Sequence, residues 1–280
     1  MKLTDLHTHS TASDGMLSPT ELVAYAAKKQ LAAIALTDHD TLDGVPEARA
    51  AGEKYGVRVI SGAEFSTLYE NISLHIVGLF LPETSKKISG RLEYMKNARD
   101  TRNEKMLQNL RNVGVDITMQ ELKKAFPDSV ISRAHMAWLM QQKGYVGSKN
   151  EAFDRYIGNR CKAYVEKESL TPEETIALIK EAGGVSVWAH PLLCRLSDKN
   201  TEKMAERLKN CGLDAIEAYY SSHTPQDTKY VKTIALKYGL KLSGGSDFHG
   251  SIKPGLDLGT GYGSLAVPYE VLEELEKIKR

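Results

Sequence analysis

The sequence has few of the features that mark secreted or membrane-bound proteins. Its 280 residues include three cysteines, Cys161, Cys194 and Cys211, which are scattered and form no CxxC pair. An odd, scattered set of thiols argues against a disulfide framework and against a zinc-thiolate site. The sequence also lacks an apolar signal core and any apolar run long enough to span a bilayer. We therefore expect a cytoplasmic protein that has no membrane contact and no obligatory protein partner.

An excess of one charge sign is also missing, because 37 Lys and Arg residues stand against 36 Asp and Glu residues. A formal net charge of +1 excludes a strong whole-molecule field for nucleic acid, but it does not exclude a local basic patch. Residues 86–111 form such a stretch, with eight basic and three acidic residues. This stretch either guides an anionic substrate or is a solvated helix face.

Short apolar runs alternate with amphipathic stretches over residues 1–82 and again after residue 164. The run Ala32–Leu36 predicts a buried strand, and Ser18 followed by Pro19 and Glu21 predicts a capped helix start. Strands spaced by helices indicate an α/β protein with a parallel sheet and crossover connections.

Between about residues 86 and 164 the strand signal fades and helical patterns follow one another. We interpret residues 86–164 as a helical insert that covers the active site. Residues 1–85 and 165–280 would then form one α/β domain.

Histidines and acids stand where predicted strands end, next to a turn residue or another acid. In barrels and open parallel sheets, functional sites are built at the carboxyl ends of the strands. The residues that share this position are His7, His9, His39, Glu64, His190, Asp247 and His249.

The spacing of these residues suits metal coordination. In extended chain, residues i and i+2 point the same way, so His7 and His9 can reach one ion, as can Asp247 and His249. With Asp14 and His75 added, these imidazoles and carboxylates are too many for a single ion. A mixed N/O set suits Zn, Mn or Fe. We therefore predict two or three divalent ions, with a carboxylate such as Glu64 as the bridge.

Five motifs together resemble those of the polymerase and histidinol phosphatase (PHP) family. They are Asp5–Ser10 with Asp14–Gly15, Thr37–Thr41, Gly62–Glu64 with His75, Ala189–Pro191, and Gly245–His249. The resemblance covers residues 1–82 and about 165–265, and both the order and the spacing hold. It implies a distorted (β/α)7 barrel with a helical insert and a trinuclear metal site.

The resemblance also implies how the ligands divide among the ions. The first ion would be held by His7, His9, Glu64 and Asp247, the second by Glu64, His75 and His190, and the third by Asp14, His39 and His249. The segments Arg99–Asn103 and Ser132–His135 resemble those of stand-alone members similar to 3′,5′-nucleoside bisphosphate phosphatases, some of which also trim RNA from the 5′ end.

We therefore predict a metal-dependent phosphoesterase that hydrolyses a phosphate monoester of a small nucleotide with a metal-activated water. Arg133 is the leading phosphate clamp, because it stands at a predicted helix start and a guanidinium matches phosphate oxygens. His223 is predicted to bind phosphate or to protonate the leaving group. His135, Arg99 and Arg102 are further candidates for substrate contact.

Three alternatives stay open at this point. A 5′→3′ exoribonuclease acting on short RNA could use the same site, since it too brings a phosphate to the ions. Histidinol-phosphate hydrolysis is known in the same family. A metal-binding regulatory module would be the non-enzymatic reading, although such modules usually lack some of the ligands found here.

Overall fold

The computed structural model describes residues 2–127, 129–166 and 169–280, and its centre is an eight-stranded sheet that nearly closes into a barrel. The strands are β1 (Leu3–Thr8), β2 (Ala33–Leu36), β3 (Arg58–Tyr69), β4 (Ile72–Leu79), β5 (Val185–Trp188), β6 (Ala215–Tyr220), β7 (Lys241–Gly245) and β8 (Val267–Pro268). Their order in the sheet is β7-β6-β5-β4-β3-β2-β1-β8. The predicted α/β barrel is confirmed.

The helices fill the connections between the strands. They are α1 (Pro19–Lys28), α2 (Val45–Tyr55), α3 (Lys86–Asn112), α4 (Met119–Ala125), α5 (Arg133–Gln142), α6 (Lys149–Ala152), α7 (Pro172–Glu181), α8 (Asp198–Asn210), α9 (Pro225–Tyr238) and α10 (Tyr269–Glu276). A π-helical turn spans Phe153–Ile157, and 3₁₀ turns span Pro191–Cys194 and Gly250–Ile252. In the described part of the chain, no helix is long and apolar enough to cross a membrane.

The barrel closes where the chain after β7 meets β1. The Asp247 N–H donates to the His7 carbonyl at 2.8 Å, and the His9 N–H donates to the Phe248 carbonyl at 3.0 Å. Gly245 makes this approach feasible, because a Cβ atom there would lie 2.3 Å from the Cβ of His7. Barrel closure therefore brings the first and last motifs of the sequence together.

The prediction of a parallel sheet is wrong at β4, which is antiparallel to both β3 and β5, and at β8, which is antiparallel to β1. The strand β3 runs from Arg58 to Tyr69, and a two-residue turn at Glu70 and Asn71 leads directly into β4. A connection that short can join only antiparallel strands. Glu64 and His75 consequently lie within the strands of a hairpin instead of at two parallel strand ends.

Helix starts follow the capping signals in the sequence. Ser18 and Glu21 form the predicted capping box at the start of α1. Helix α9 begins at Pro225, because Thr224 caps it and accepts a hydrogen bond from the Asp227 N–H.

The predicted helical segment between β4 and α7 is present. It packs in two ways, since Ile88, Leu92 and Met95 of α3 join the core around Trp188, while Met106 and Leu110 join a separate core with α4 and α5. The long helix α3 therefore connects the barrel core with the core of the helical segment.

Candidate metal centre and substrate pocket

Glu64 lies at the centre of a buried histidine cluster, and its side chain is only 1% exposed. Its Oε2 atom lies 3.3 Å from His7 Nε2, 3.2 Å from His9 Nε2 and 3.1 Å from His39 Nδ1. Its Oε1 atom lies 2.6 Å from His75 Nδ1 and 2.9 Å from His190 Nε2. Five imidazoles thus surround one carboxylate, which is the arrangement expected of a bridging ligand.

Two further carboxylates complete the cluster on either side. Asp247 Oδ1 lies 3.3 Å from His9 Nε2 and 3.4 Å from His249 Nδ1. Asp14 Oδ1 lies 3.2 Å from His249 Nε2 and 3.8 Å from His39 Nε2. All nine residues predicted from the sequence as metal ligands are therefore brought together.

Three sets of ligand atoms converge closely enough to hold an ion. They are His7, His9, Glu64 and Asp247; His9, Asp14, His39 and His249; and His39, Glu64 and His75. The first set coincides with the one implied by the family resemblance. The set with Asp14, His39 and His249 also includes His9, which the resemblance does not imply there. The set with Glu64 and His75 includes His39 in place of His190.

The chemistry of the donors fits divalent ions. Several of the converging atoms are buried and have no hydrogen-bond partner among the described residues, namely His7 Nε2, both ring nitrogens of His9, Asp14 Oδ1, His39 Nδ1 and Glu64 Oε2. Buried polar atoms without partners are costly, and a metal ion satisfies such atoms when they are imidazole nitrogens and carboxylate oxygens. The residues present therefore fit a divalent-metal centre.

Burial and neighbouring charges move the pKa values of the cluster in opposite directions. Burial lowers the pKa of His39 to about 3. Burial also acts to lower the pKa of His9, but the neighbouring Asp247 and Glu64 carboxylates outweigh it and raise that pKa to about 9. Burial acts to raise the pKa of Glu64, yet the surrounding imidazoles hold it well below its usual value. In the absence of ions, a proton on His9 thus offsets the carboxylate charge.

A layer of polar residues behind the cluster orients the imidazoles. Glu217, on β6, lies with Oε1 at 3.1 Å from His7 Nδ1, and its Oε2 accepts from the His190 N–H at 2.7 Å. When His7 donates from Nδ1, its Nε2 lone pair faces Glu64 and Asp247. The sequence analysis missed Glu217, although an acid within the short apolar run Ala215–Ala218 is a usable signal.

Asp38, Tyr220 and Lys253 also belong to this layer. Asp38 accepts hydrogen bonds from the Ser10 and Ser13 hydroxyls at 2.7 and 2.6 Å, so it fixes the turn that carries Asp14. Tyr220 and Lys253 both donate to Asp247 and were missed, because no local pattern in the sequence connects them with that residue.

A cavity of about 230 Å³ opens beside the cluster and joins it to the helical segment. Its lining includes Asp14, His39 and His75 from the cluster and Arg99, Arg102 and Arg133 from α3 and α5. Three predicted substrate-binding residues are thus gathered next to the histidine cluster. A wall of guanidinium groups facing a metal centre is suited to an anion that reaches both.

The three arginines differ in how strongly they are already engaged. Arg99 is paired with Asp40, and Arg133 donates to the Ile157 carbonyl and to Asn159 Oδ1 at 3.3 and 3.2 Å. Arg102 is 8% exposed and forms no hydrogen bond or ion pair within the described residues. Burial, assisted by repulsion from Arg99 and Arg133, lowers the pKa of Arg102 to about 9. Arg102 is therefore a buried cation to which the described residues supply no bonded anion.

His135 and His223, which were predicted to contact the substrate, are not among the residues that line this cavity. His135 is fully buried, stacks on Phe126 at 4.2 Å between ring centroids and accepts from the Ser132 N–H through Nδ1 at 3.2 Å. His223 is half-buried, with Nδ1 at 3.0 Å from the Ala218 carbonyl. Their assignment to substrate contact stays a prediction.

Comparison with known proteins agrees with this geometry. Residues 5–158 match the PHP domain family. A 5′-3′ exoribonuclease from Haemophilus influenzae is 37% identical over 245 residues, which cover 88% of this chain and 89% of the relative. A 3′,5′-nucleoside bisphosphate phosphatase from Chromobacterium violaceum is 31% identical over 256 residues, covering 91% and 90% of the two chains.

A solved structure from Bifidobacterium adolescentis, described as a metal-dependent phosphoesterase, is similar over 100% of this chain and 97% of its own, with a TM-score of 0.88 at 29% identity. Fold, site and relatives together define a metal-dependent hydrolase of phosphoric esters. The chain belongs to the PHP domain family.

Proposed function

We propose that the protein hydrolyses a phosphate monoester of a small nucleotide of the 3′,5′-nucleoside bisphosphate type. The observation that supports this proposal is the single cavity in which Asp14, His39 and His75 face Arg102 and Arg133. A substrate with two phosphates can place one phosphate at the ion ligands and the other at the arginines. The nucleoside bisphosphate phosphatase from Chromobacterium violaceum is a relative of the same length and family.

We propose that two or three divalent ions, Mn, Fe or Zn, are held by the nine converging side chains. These side chains are His7, His9, Asp14, His39, Glu64, His75, His190, Asp247 and His249. When bound, the ions supply the Lewis-acid chemistry that activates a water and neutralises charge on a phosphoryl group. The carboxylate of Glu64 is the natural bridge, since both its oxygens face imidazole nitrogens.

Arg102 and Arg133 have the central roles on the substrate side of this proposal. The guanidinium of Arg102, which is buried and has no bonded partner among the described residues, gains the most from an anion, because its charge is already desolvated. Arg133 is oriented by its bond to Asn159 and by the rings of Phe153 and Tyr164, which lie 5.7 and 5.6 Å from its Cζ. Arg99, which is paired with Asp40, contributes mainly positive potential.

His223 is proposed to serve the leaving group. With Nδ1 held by the Ala218 carbonyl, the free ring atom is Nε2, which is buried and has no partner among the described residues. The Tyr220 ring connects it to the cluster, with centroids at 5.4 Å from His223 and 5.5 Å from His190. A protonated Nε2 could donate to a departing oxygen when substrate binding brings that oxygen within reach.

Residues 86–164 are proposed to act as an insert domain that covers the site. All three cavity arginines belong to this segment. Two bonds join it to the barrel at the cluster, from Arg99 to Asp40 and from Lys149 Nζ to the Ile252 carbonyl at 2.9 Å. The insert would thereby supply the phosphate-binding groups that the barrel lacks.

The test compares Arg102→Met with Arg111→Met, an exposed arginine of the same helix α3. Manganese-supplied protein would receive a 3′,5′-bisphosphonucleoside and the matching 5′-mononucleotide. We expect Arg102→Met to lower kcat/KM for the bisphosphate by about 10- to 100-fold, the effect of one charged hydrogen bond, and to lower it much less for the mononucleotide. Equal losses for the two substrates would refute the proposed second phosphate site.

A second candidate function, 5′→3′ exoribonuclease activity on short RNA, is favoured by an adjoining cavity. This cavity shares Phe153 and Asn159 with the substrate pocket and is also lined by Arg195. Its position suits the phosphate that follows the nucleotide being released. The exoribonuclease from Haemophilus influenzae is also a relative over most of the chain.

The Arg195→Met variant distinguishes the two candidate functions, because Arg195 lines the adjoining cavity and not the substrate pocket. An exoribonuclease should lose activity on a short 5′-phosphorylated RNA while keeping its activity on the bisphosphate. Histidinol phosphate, offered in parallel, should release no phosphate above background. Fast release from histidinol phosphate would contradict both candidates.

A further inference from the structure

Asp247 is engaged at almost every polar atom that it has. Its N–H donates to the His7 carbonyl at 2.8 Å, and its own carbonyl lies 2.9 Å from His249 Nδ1 and accepts from Lys253 Nζ at 3.3 Å. Its Oδ2 atom accepts from the Tyr220 hydroxyl at 2.8 Å and from Lys253 Nζ at 2.5 Å. These bonds leave Oδ1 as the one oxygen directed at the cluster.

The remaining atom, Oδ1, has surroundings of a different kind. Its neighbours are imidazole nitrogens at 3.3 Å (His9), 3.4 Å (His249) and 3.8 Å (His7). Oδ2 therefore has hydrogen-bond donors, whereas Asp247 belongs with His7 and His9 to one set of converging ligand atoms. The two oxygens of one carboxylate are thus separated into an anchored atom and a ligand atom.

We propose that Lys253 and Tyr220 are positioning residues that hold the Asp247 carboxylate so that only Oδ1 can bind an ion. This inference rests on the proposed metal centre. A carboxylate without such anchors can rotate and bind through both oxygens, which would occupy a coordination position needed by water or substrate. Two donors on Oδ2 prevent this rotation, and the lysine also offsets part of the negative charge.

The loop that carries Lys253 is itself fixed by the helical segment. Lys253 follows the 3₁₀ turn Gly250–Ile252, and the carbonyl of Ile252 accepts from Lys149 Nζ at 2.9 Å. A continuous series of contacts therefore leads from α6 through this loop to Asp247. Lys253 is in a position to transmit the placement of the helical segment to the ion ligand.

The chain offers a matched control for this arrangement. Asp257 accepts from the Tyr25 hydroxyl at 2.6 Å and from Lys29 Nζ at 2.7 Å, which repeats the tyrosine–aspartate–lysine grouping in a different part of the fold. Asp257 belongs to none of the converging ligand sets in the described residues. Lys29→Met therefore removes an equivalent bond without touching the proposed mechanism.

The experiment measures how fast a chelator removes manganese from loaded protein, together with the number of ions retained. The variants are Tyr220→Phe, Lys253→Met, the double variant, Lys253→Arg and Lys29→Met. Partners of metal ligands typically contribute about 10- to 100-fold in metal affinity. We expect the double variant to lose metal affinity by this factor and each single variant to lose less, because one donor remains. Lys253→Arg should restore most of the affinity, and Lys29→Met should leave it unchanged.

Thermal unfolding of the metal-free variants separates lost positioning from lost folding, because a positioning effect leaves the unfolding midpoint close to that of the parent protein. Wild-type release from the double variant would overturn the inference. Tighter retention in Lys253→Met would also overturn it, since the lysine would then act only as a repelling charge. A parent protein that holds manganese but hydrolyses no nucleotide would refute the proposed function without contradicting this inference.

Discussion

Glu64 Oε2 lies 3.1 Å from His39 Nδ1, although Glu64 is part of β3 and His39 follows β2. The two backbones form a short parallel bridge at this point, so the contact is fixed by the sheet itself. His75, from the next strand, reaches the other oxygen of the same carboxylate. Glu64 is therefore shared by two of the three converging ligand sets in the described residues.

Replacing Glu64 with Gln should remove the bridge while nearly preserving shape. We expect the variant to lose at least one equivalent of ion and to fall by about 1000-fold or more in phosphate release, since metal-ion catalysis supplies several kcal/mol. Elemental analysis and initial rates check this prediction. Glu47→Gln, on the exposed side of α2, is the control and should match the parent protein. Full ion content in Glu64→Gln would contradict the bridging role.

Glu217→Gln should weaken the site without removing a ligand. The carboxylate orients the His7 ring and the His190 backbone, and the amide can accept through only one of its two end atoms. We expect metal affinity to fall by about 10- to 100-fold. Competition with a fluorescent chelator measures this change. Glu174→Gln, at the start of α7, should alter stability but not metal affinity.

The metal-free protein should lose stability as the pH rises from 6.5 to 9. Although burial acts to lower it, the neighbouring Asp247 and Glu64 carboxylates raise the pKa of His9 from 6.5 to about 9. The folded state then binds a proton more tightly than the unfolded state. This contribution is fully present below pH 6.5 and disappears as the pH passes about 9.

Ions should reverse this dependence, because a metal-bound imidazole must be free of that proton. The rise in unfolding temperature caused by added manganese should therefore grow between pH 6.5 and 9. Scanning calorimetry under anaerobic conditions, with and without manganese, checks both trends. His9→Gln should flatten the metal-free profile, and an unchanged slope in that variant would refute the assignment to His9.

Gly245→Ala should damage both barrel closure and the metal centre. The added Cβ would lie 2.3 Å from the His7 Cβ and 2.4 Å from the His7 nitrogen. Overpacking of this kind typically costs about 1–3 kcal/mol in the free energy of unfolding. Chemical denaturation measures it. Gly90→Ala is the control, because nothing lies within 4 Å of its Cβ position in α3, and it should stabilise the helix by about 1 kcal/mol.

The predictable part of the site was the part encoded by short motifs. Pairs such as His7 and His9, or Asp247 and His249, are close in sequence, and their spacing already implies a shared direction. Helix caps were predictable for the same reason, since Ser18, Pro19 and Glu21 act on each other within one turn.

Contacts between distant segments escaped prediction. Glu217 contacts His190 and Tyr220 contacts Asp247, and the partners in each pair are 27 positions apart. Lys253 contacts Asp247 from a loop without a distinctive sequence pattern. The antiparallel β4 escaped because an apolar run does not indicate its direction. The direction of β4 is set by the short turn at Glu70, whose backbone has a positive φ of 53°.

The most direct test of the account is phosphate release from a 3′,5′-bisphosphonucleoside by manganese-supplied protein, measured beside Asp247→Ala and after treatment of the parent protein with a chelator. The account predicts rapid release that is lost in the variant, lost with the chelator and restored by added manganese. Release that continues unchanged in Asp247→Ala, or no release with manganese present, would contradict it.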